Sequence, residues 1–326
     1  MKKGLWYTLL FSLIGLILIF KGIAADPVKF ELKSLNFSFL GLGLLALLIV
    51  WFSKAFRIYV IAQGMGEKIG LVDCFQIYLA TCFVSHVTPF NAGGTPLQIY
   101  LLHKKGLSLG KATAVTTIDL GLHSIVYLLI FIGTLSLNVS LLKQGGFLNQ
   151  DLIRNFWVII ISLIAAGGVF YFIFRLSWAK KLGGFLKEKG WLKRLRQEFF
   201  LFKEGSLLLI HSNWSGMFKA VLASIVYWFF YLLLAPLIIL AMNKAVEFFS
   251  LMYSQLIFNV VQTLIPTPGG SGGAEVLLSY LFRGITGIQG LGLFVLLWRV
   301  YTFYSSLLVG GYLFFKLTIG TDNQGP

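Results

Sequence analysis

Six stretches of the chain are long and apolar enough to cross a hydrocarbon core of about 30 Å as helices. They are Leu5–Ile23, Leu35–Trp51, Ala112–Leu137, Phe156–Phe174, Lys219–Met242 and Leu291–Phe315. A water-soluble chain of 326 residues would need a charged surface, yet 57% of this one is hydrophobic and only 12% is charged. A transmembrane β-barrel would instead show short segments of alternating polarity. The fold class expected is an all-α polytopic membrane protein with about six full transmembrane helices.

Two further apolar segments do not read as simple spans. "HVTPFNAGGTPLQIYLL" begins at His86, and "LIPTPGGSGGAEVLLSYL" begins at Leu264. Each carries Thr-Pro, three residues, then Gly-Gly: Thr88, Pro89, Gly93 and Gly94 in the first, and Thr267, Pro268, Gly272 and Gly273 in the second. The second adds Gly269 and Gly270. The offset between them, 179 residues, also carries the apolar spans of the first half onto those of the second. The chain thus reads as a duplication. A first repeat covers 1–142, with a re-entrant broken hairpin near 71–102. A connecting helix and a basic loop cover 143–217. A second repeat covers 218–326, with its hairpin near 250–283.

Orientation follows from Lys and Arg, which favour cytoplasmic loops. Lys2 and Lys3 place the N-terminus inside, as either a first helix or a signal peptide. Lys54, Arg57 and Lys68 bring the second helix back inside, and Lys104, Lys105 and Lys111 keep the first hairpin there. Arg175–Gly216 holds nine Lys or Arg against three Glu, and Lys316 follows the last helix. Both termini are therefore expected in the cytoplasm, and the two hairpins become inverted copies. Within the long loop, Leu182, Phe185, Trp191, Phe199 and Phe202 recur at helical spacing among basic residues, a pattern for an amphipathic helix on an anionic leaflet. The net charge of +15 lies between spans, where it serves orientation rather than nucleic-acid binding. Cys74 and Cys82 are over two helical turns apart, too far to bridge, and read as buried thiols.

Backbone that leaves the helix inside a bilayer must be buried in protein or line a polar cavity. Interrupted hydrophobic segments at matching positions of two halves point to a transporter's binding site. Each break also starts a helix, whose free N–H groups suit an anion such as phosphate. Thr95 is the expected first cap, with Pro96 behind it, and Ser271 the second. The glycines either let backbone approach a guest or allow tight packing. Ionisable residues within the spans are costly there and complete the candidate set. Arg57 and Arg299 are candidates for clamping a phosphate. Glu275 and Asp119 are candidates for a cationic group, and Glu275 paired with an Arg as a structural ion pair is the alternative. Asp119 and His123, four apart on one helix, form a buried pair, a proton relay or a counter-ion for a basic group in this reading. His86 and Gln98 flank the first break.

No HExxH or Walker pattern is present, four scattered histidines make no metal site, and no cofactor is expected. "TPFNAGGTPLQIYLLHKKG", "IPTPGGSGGAE" and "WRVYTFY" together resemble the flippase-like membrane proteins related to the transmembrane region of lysylphosphatidylglycerol synthase. In bifunctional members a cytosolic domain adds an amino acid to phosphatidylglycerol and the membrane region flips the product. The resemblance implies the translocating part without the synthase. Glu275 and Arg299 fit the family pattern. Thr95 departs from a frequent Glu or Gln, and Gln98 from a frequent basic residue. The function expected is a plasma-membrane lipid flippase. Its partners would be anionic or aminoacyl phospholipids or polyprenyl-linked lipids, with a second copy of the chain as a candidate partner. The alternatives are an integral-membrane head-group transferase and a scaffold for lipid-synthesis enzymes.

Overall fold

The structure is a computed structural model that describes residues 35–137, 190–207 and 214–319. The expected spans Leu5–Ile23 and Phe156–Phe174 lie outside them. The described residues are helical, with no strand. The helices are α1 (Phe37–Gly64), α2 (Leu71–Val87), α3 (Gly94–Lys104), α4 (Leu109–Leu137), α5 (Gly190–Leu207), α6 (Trp214–Ala241), α7 (Phe248–Thr263), α8 (Gly273–Arg299) and α9 (Ser305–Ile319). Short 3₁₀ turns at Pro89–Asn91 and Pro268–Gly270 form the two breaks, and a π-helical turn, Val300–Tyr304, joins α8 to α9.

Four stretches are long and apolar enough to cross a membrane: Phe37–Gly64, Leu109–Thr134, Trp214–Ala241 and Gly290–Thr318. They are the four described spans read from the sequence. Their outward faces carry exposed Leu44, Leu45, Leu48, Leu129, Phe229 and Leu308, a surface suited to lipid rather than water. The molecule is a multi-pass membrane protein.

α1 and α6 run antiparallel in close contact, and the Asn36 backbone N–H donates to the carbonyl of Ala241 at 2.9 Å. Small residues permit the approach: Ala46 and Ala55 on one helix, Ala220, Ala223 and Ser224 on the other. α2 packs on α9, where Gly310 presses on the carbonyl of Leu79 and Gly311 faces the Phe83 ring.

The hairpins enter this frame from opposite ends. α2 begins a few residues after α1 ends, and α7 begins a few residues after α6 ends, at the other pole of the antiparallel pair. With 17 and 16 residues, each rises about 25 Å. The two 3₁₀ turns meet between them.

α8 is one helical stretch by hydrogen bonding, but it is not straight. Arg299 and Glu275 form an ion pair at 2.8 Å, although 24 residues of straight helix would hold them about 36 Å apart. The Phe282 and Phe294 rings stack at 4.5 Å. The chain therefore reverses between Phe282 and Phe294, across the glycine-rich "GITGIQG". The 179-residue offset carries the α3–α4 loop onto this bend.

Candidate functional site

The two breaks share one backbone conformation. Phe90 (φ 55, ψ 17) corresponds to Gly269 (φ 61, ψ 17) at the same offset. Asn91 (φ 54) corresponds to Gly270 (φ 65). Left-handed backbone is costly for a side chain bearing Cβ, so the second break meets the demand with glycine and the first bears it with Phe and Asn. At Gly269 a Cβ would also strike the Phe303 ring and come within 2.9 Å of the His86 carbonyl oxygen. That glycine is where the second break rests on the first hairpin.

The other glycines close their own hairpins. A Cβ on Gly93 would lie 2.7 Å from Thr88 Cγ2, and one on Gly94 would run into the Ser85 hydroxyl. A Cβ on Gly273 would lie 2.9 Å from Ile265 Cγ2. Of the two roles open from sequence, close packing is the one seen at these three positions.

The caps differ from expectation. α3 begins at Gly94, with Gly93 in the cap position, so Thr95 and Pro96 fall inside the first turn. Thr88 does the local work instead: its hydroxyl donates to Val84 O at 2.8 Å and accepts from the Gly93 N–H at 3.0 Å. In the second break Gly272 (φ 85), not Ser271, holds the cap position of α8. Glu275 reaches back to accept from the Gly272 N–H at 2.7 Å, and Thr267 Oγ1 donates to Ser271 O at 2.8 Å. A carboxylate at a helix start complements the helix dipole, which explains why an acidic residue is tolerated there.

Two buried ionic clusters flank the breaks. In the first, Asp119 of α4 accepts from Lys54 Nζ and from Arg57 Nε, both on α1 and both at 2.6 Å. Gln98 of α3 approaches the same carboxylate at 3.4 Å. Arg57 Nη1 donates to the Ser224 hydroxyl of α6 at 2.9 Å, and Ser224 in turn donates to Ala220 O. Arg57 Nη2 is buried and makes no hydrogen bond. Lys54, Asp119 and Ser224 each sit ten residues from the end of their helix, which sets the cluster about 15 Å beneath one pole of the bundle. That pole carries Lys105 paired to Asp73 and Lys111 paired to Glu67.

In the second cluster Arg299 donates through Nε to Glu275 Oε1 at 2.8 Å and reaches Ser271 Oγ at 3.4 Å through Nη2. Its guanidinium lies 4.1 Å over the Phe303 ring. Phe303 also contacts the His86 ring at 4.8 Å, and His86 Nε2 bonds the Ser306 hydroxyl at 2.8 Å. The first hairpin thus touches the second cluster through an aromatic ring.

Three expectations change. Asp119 and His123 are not a pair: Asp119 is taken by Lys54, Arg57 and Gln98, and His123 stacks on Trp228 at 4.7 Å with its Nδ1 unbonded. Four residues put both on one side of α4, but the two cations on α1 outcompete a neutral ring for the carboxylate. Arg57 and Arg299 do not form one clamp; each is bound to a carboxylate in its own cluster. Lys54, expected only as a topological charge, belongs to the first cluster. Its spacing of three from Arg57 on an apolar helix was the available signal.

Residues 5–310 match the family described as the lysylphosphatidylglycerol synthase TM region. A UPF0104 membrane protein of Archaeoglobus fulgidus is 24% identical over 313 residues, which is 93% of this chain and 93% of that protein. A match across the spans, both breaks and both clusters makes the conclusion plain: the chain belongs to the lysylphosphatidylglycerol synthase TM region family.

Proposed function

We propose that the protein is a translocase that moves a polar-headed lipid between the leaflets of the plasma membrane. The observation that carries this is the meeting of two broken hairpins from opposite poles beside buried charge. Such an arrangement offers polar groups partway through the bilayer, where hydrocarbon alone would repel a head group. Acyl or prenyl tails would stay in lipid while the head group passes. Membership of a family named for lipid synthesis supports a lipid cargo. The basic pole, with Lys104, Lys105 and Lys111, faces the cytoplasm in this account. That sets the second hairpin on the outer side and both termini inside.

The test is reconstitution of the purified chain in vesicles with head-group-labelled lipids and an impermeant quencher. Translocation faster than in protein-free vesicles, reduced by substitutions at Arg299 or Asp119, supports the proposal. Turnover of a labelled donor lipid without leaflet exchange would replace it with the transferase reading. Neither activity, with retained capture of lipid-synthesis enzymes, would leave the scaffold.

A further inference from the structure

The two clusters are not electrically alike, and the difference bears on which head group the translocase takes; the inference rests on the function proposed above. Arg299 and Glu275 cancel. Among the described residues, Lys54, Arg57 and Asp119 leave one positive charge uncompensated, although Arg57 and Asp119 are 0% exposed and Lys54 is 9% exposed. An unbalanced charge under about 15 Å of apolar bundle is unfavourable unless something arrives to balance it.

The hydrogen bonds carry the same imbalance. Asp119 already accepts from Lys54, Arg57 and Gln98, so it has little left for an incoming ammonium group. Donors, by contrast, are in excess. Arg57 Nη2 is buried without an acceptor, and the Lys54 ammonium, with three N–H groups, makes one bond in the cluster. The nearest aromatic face to Arg57, the Tyr227 ring, is 6.0 Å away and is a weak substitute. The cluster therefore wants acceptor oxygens and a single negative charge.

We propose that Lys54 and Arg57 bind the phosphodiester of a monoanionic lipid head group. One phosphodiester neutralises the excess charge, and its two free oxygens accept from Arg57 Nη2 and the spare Lys54 N–H groups. Lys54 is the way in, because 11% of its side-chain surface is exposed while that of Arg57 is sealed. A head group that also carries an ammonium restores the excess charge. The site thus ranks anionic head groups above zwitterionic ones, and those above cationic aminoacyl ones.

The experiment uses the purified full chain in detergent and follows its thermal unfolding against short-chain phosphatidylglycerol, short-chain phosphatidylcholine, glycerol phosphate and inorganic phosphate. The wild type and Lys54→Arg should bind phosphatidylglycerol about tenfold more tightly than phosphatidylcholine, the worth of one charge-assisted contact. Lys54→Gln, which removes the excess charge, should bring the two lipids within about twofold. Gln98→Glu cancels the excess from the opposite side and should do the same, so the test does not hang on one variant folding. Equal binding of both lipids by the wild type would overturn the proposal. Binding of inorganic phosphate or glycerol phosphate as tightly as the lipid would overturn the lipid assignment. Vesicle translocation is measured on the same preparations. Lipid preference without translocation would refute the proposed function alone, and translocation without preference would refute this inference alone.

Discussion

Glu275→Gln isolates what holds the second break together. The substitution keeps the shape of the side chain and one acceptor oxygen but removes the charge. Arg299, 1% exposed, then loses its counter-charge and keeps only neutral partners: the amide oxygen, the Ser271 hydroxyl at 3.4 Å and the face of Phe303. Removing one partner of a buried ion pair costs about 3–5 kcal/mol. Weakening the carboxylate contact at the start of α8 adds up to about 1 kcal/mol. Arg299→Gln should cost less, because Glu275 keeps the Gly272 N–H and the positive end of the helix. The double variant, with two neutral amides facing each other, should be more stable than the sum of the single effects implies, by about 1–3 kcal/mol. Equilibrium unfolding in mixed micelles measures all four corners of the cycle. Single effects that add to within about 0.5 kcal/mol would refute the reasoning, because the two charges would then not be compensating one another.

Three other outcomes follow from the geometry. Gly94→Ala should destabilise the first hairpin by about 1–3 kcal/mol by overpacking, and Ser85→Ala should recover most of the loss, since the Ser85 hydroxyl is what the new methyl group meets; unfolding of the two variants checks it. Gly269→Ala should cost at least about 2 kcal/mol more than Gly66→Ala in the same assay. Both glycines have positive φ (61 and 77), but nothing lies within 4 Å of a Cβ at Gly66, whereas Gly269 abuts Phe303 and His86. His123→Phe should be neutral or stabilising by about 1 kcal/mol, because the ring keeps its stacking on Trp228 and loses a buried unbonded nitrogen; a large loss of stability would show that the nitrogen has a partner.

How much of this was legible in the sequence depended on the range of the interaction. Span lengths follow from hydrophobicity alone, and the four described spans lie where the apolar runs lie. The two breaks were visible because Pro and Gly punctuate a helix locally, and their shared spacing exposed the common backbone geometry. The helix starts were less legible. Thr95 and Ser271 have good cap chemistry, but the left-handed backbone at Phe90 and at Gly272 shifts each start to a neighbouring glycine. A counter-ion role for Asp119 was legible, but not which basic groups it meets, because Lys54 and Arg57 lie more than sixty residues away and reach it only after α1 and α4 pack. For Glu275 and Arg299 the missing fact was the reversal of α8, which glycines permit but do not require. The excess charge near Lys54 emerges only from the full set of partners, not from any one motif.

The central claim is that opposed breaks beside buried charge carry a lipid head group through the bilayer. Its most direct measurement is leaflet exchange in vesicles containing the wild type, Asp119→Asn or Arg299→Gln, each reconstituted at equal protein density. The account predicts exchange of labelled phosphatidylglycerol well above protein-free vesicles for the wild type, and a loss of at least about tenfold in each folded variant, equivalent to about 1.4 kcal/mol on the barrier. Exchange by both variants at the wild-type rate, or none by the wild type with any polar-headed lipid, would contradict it.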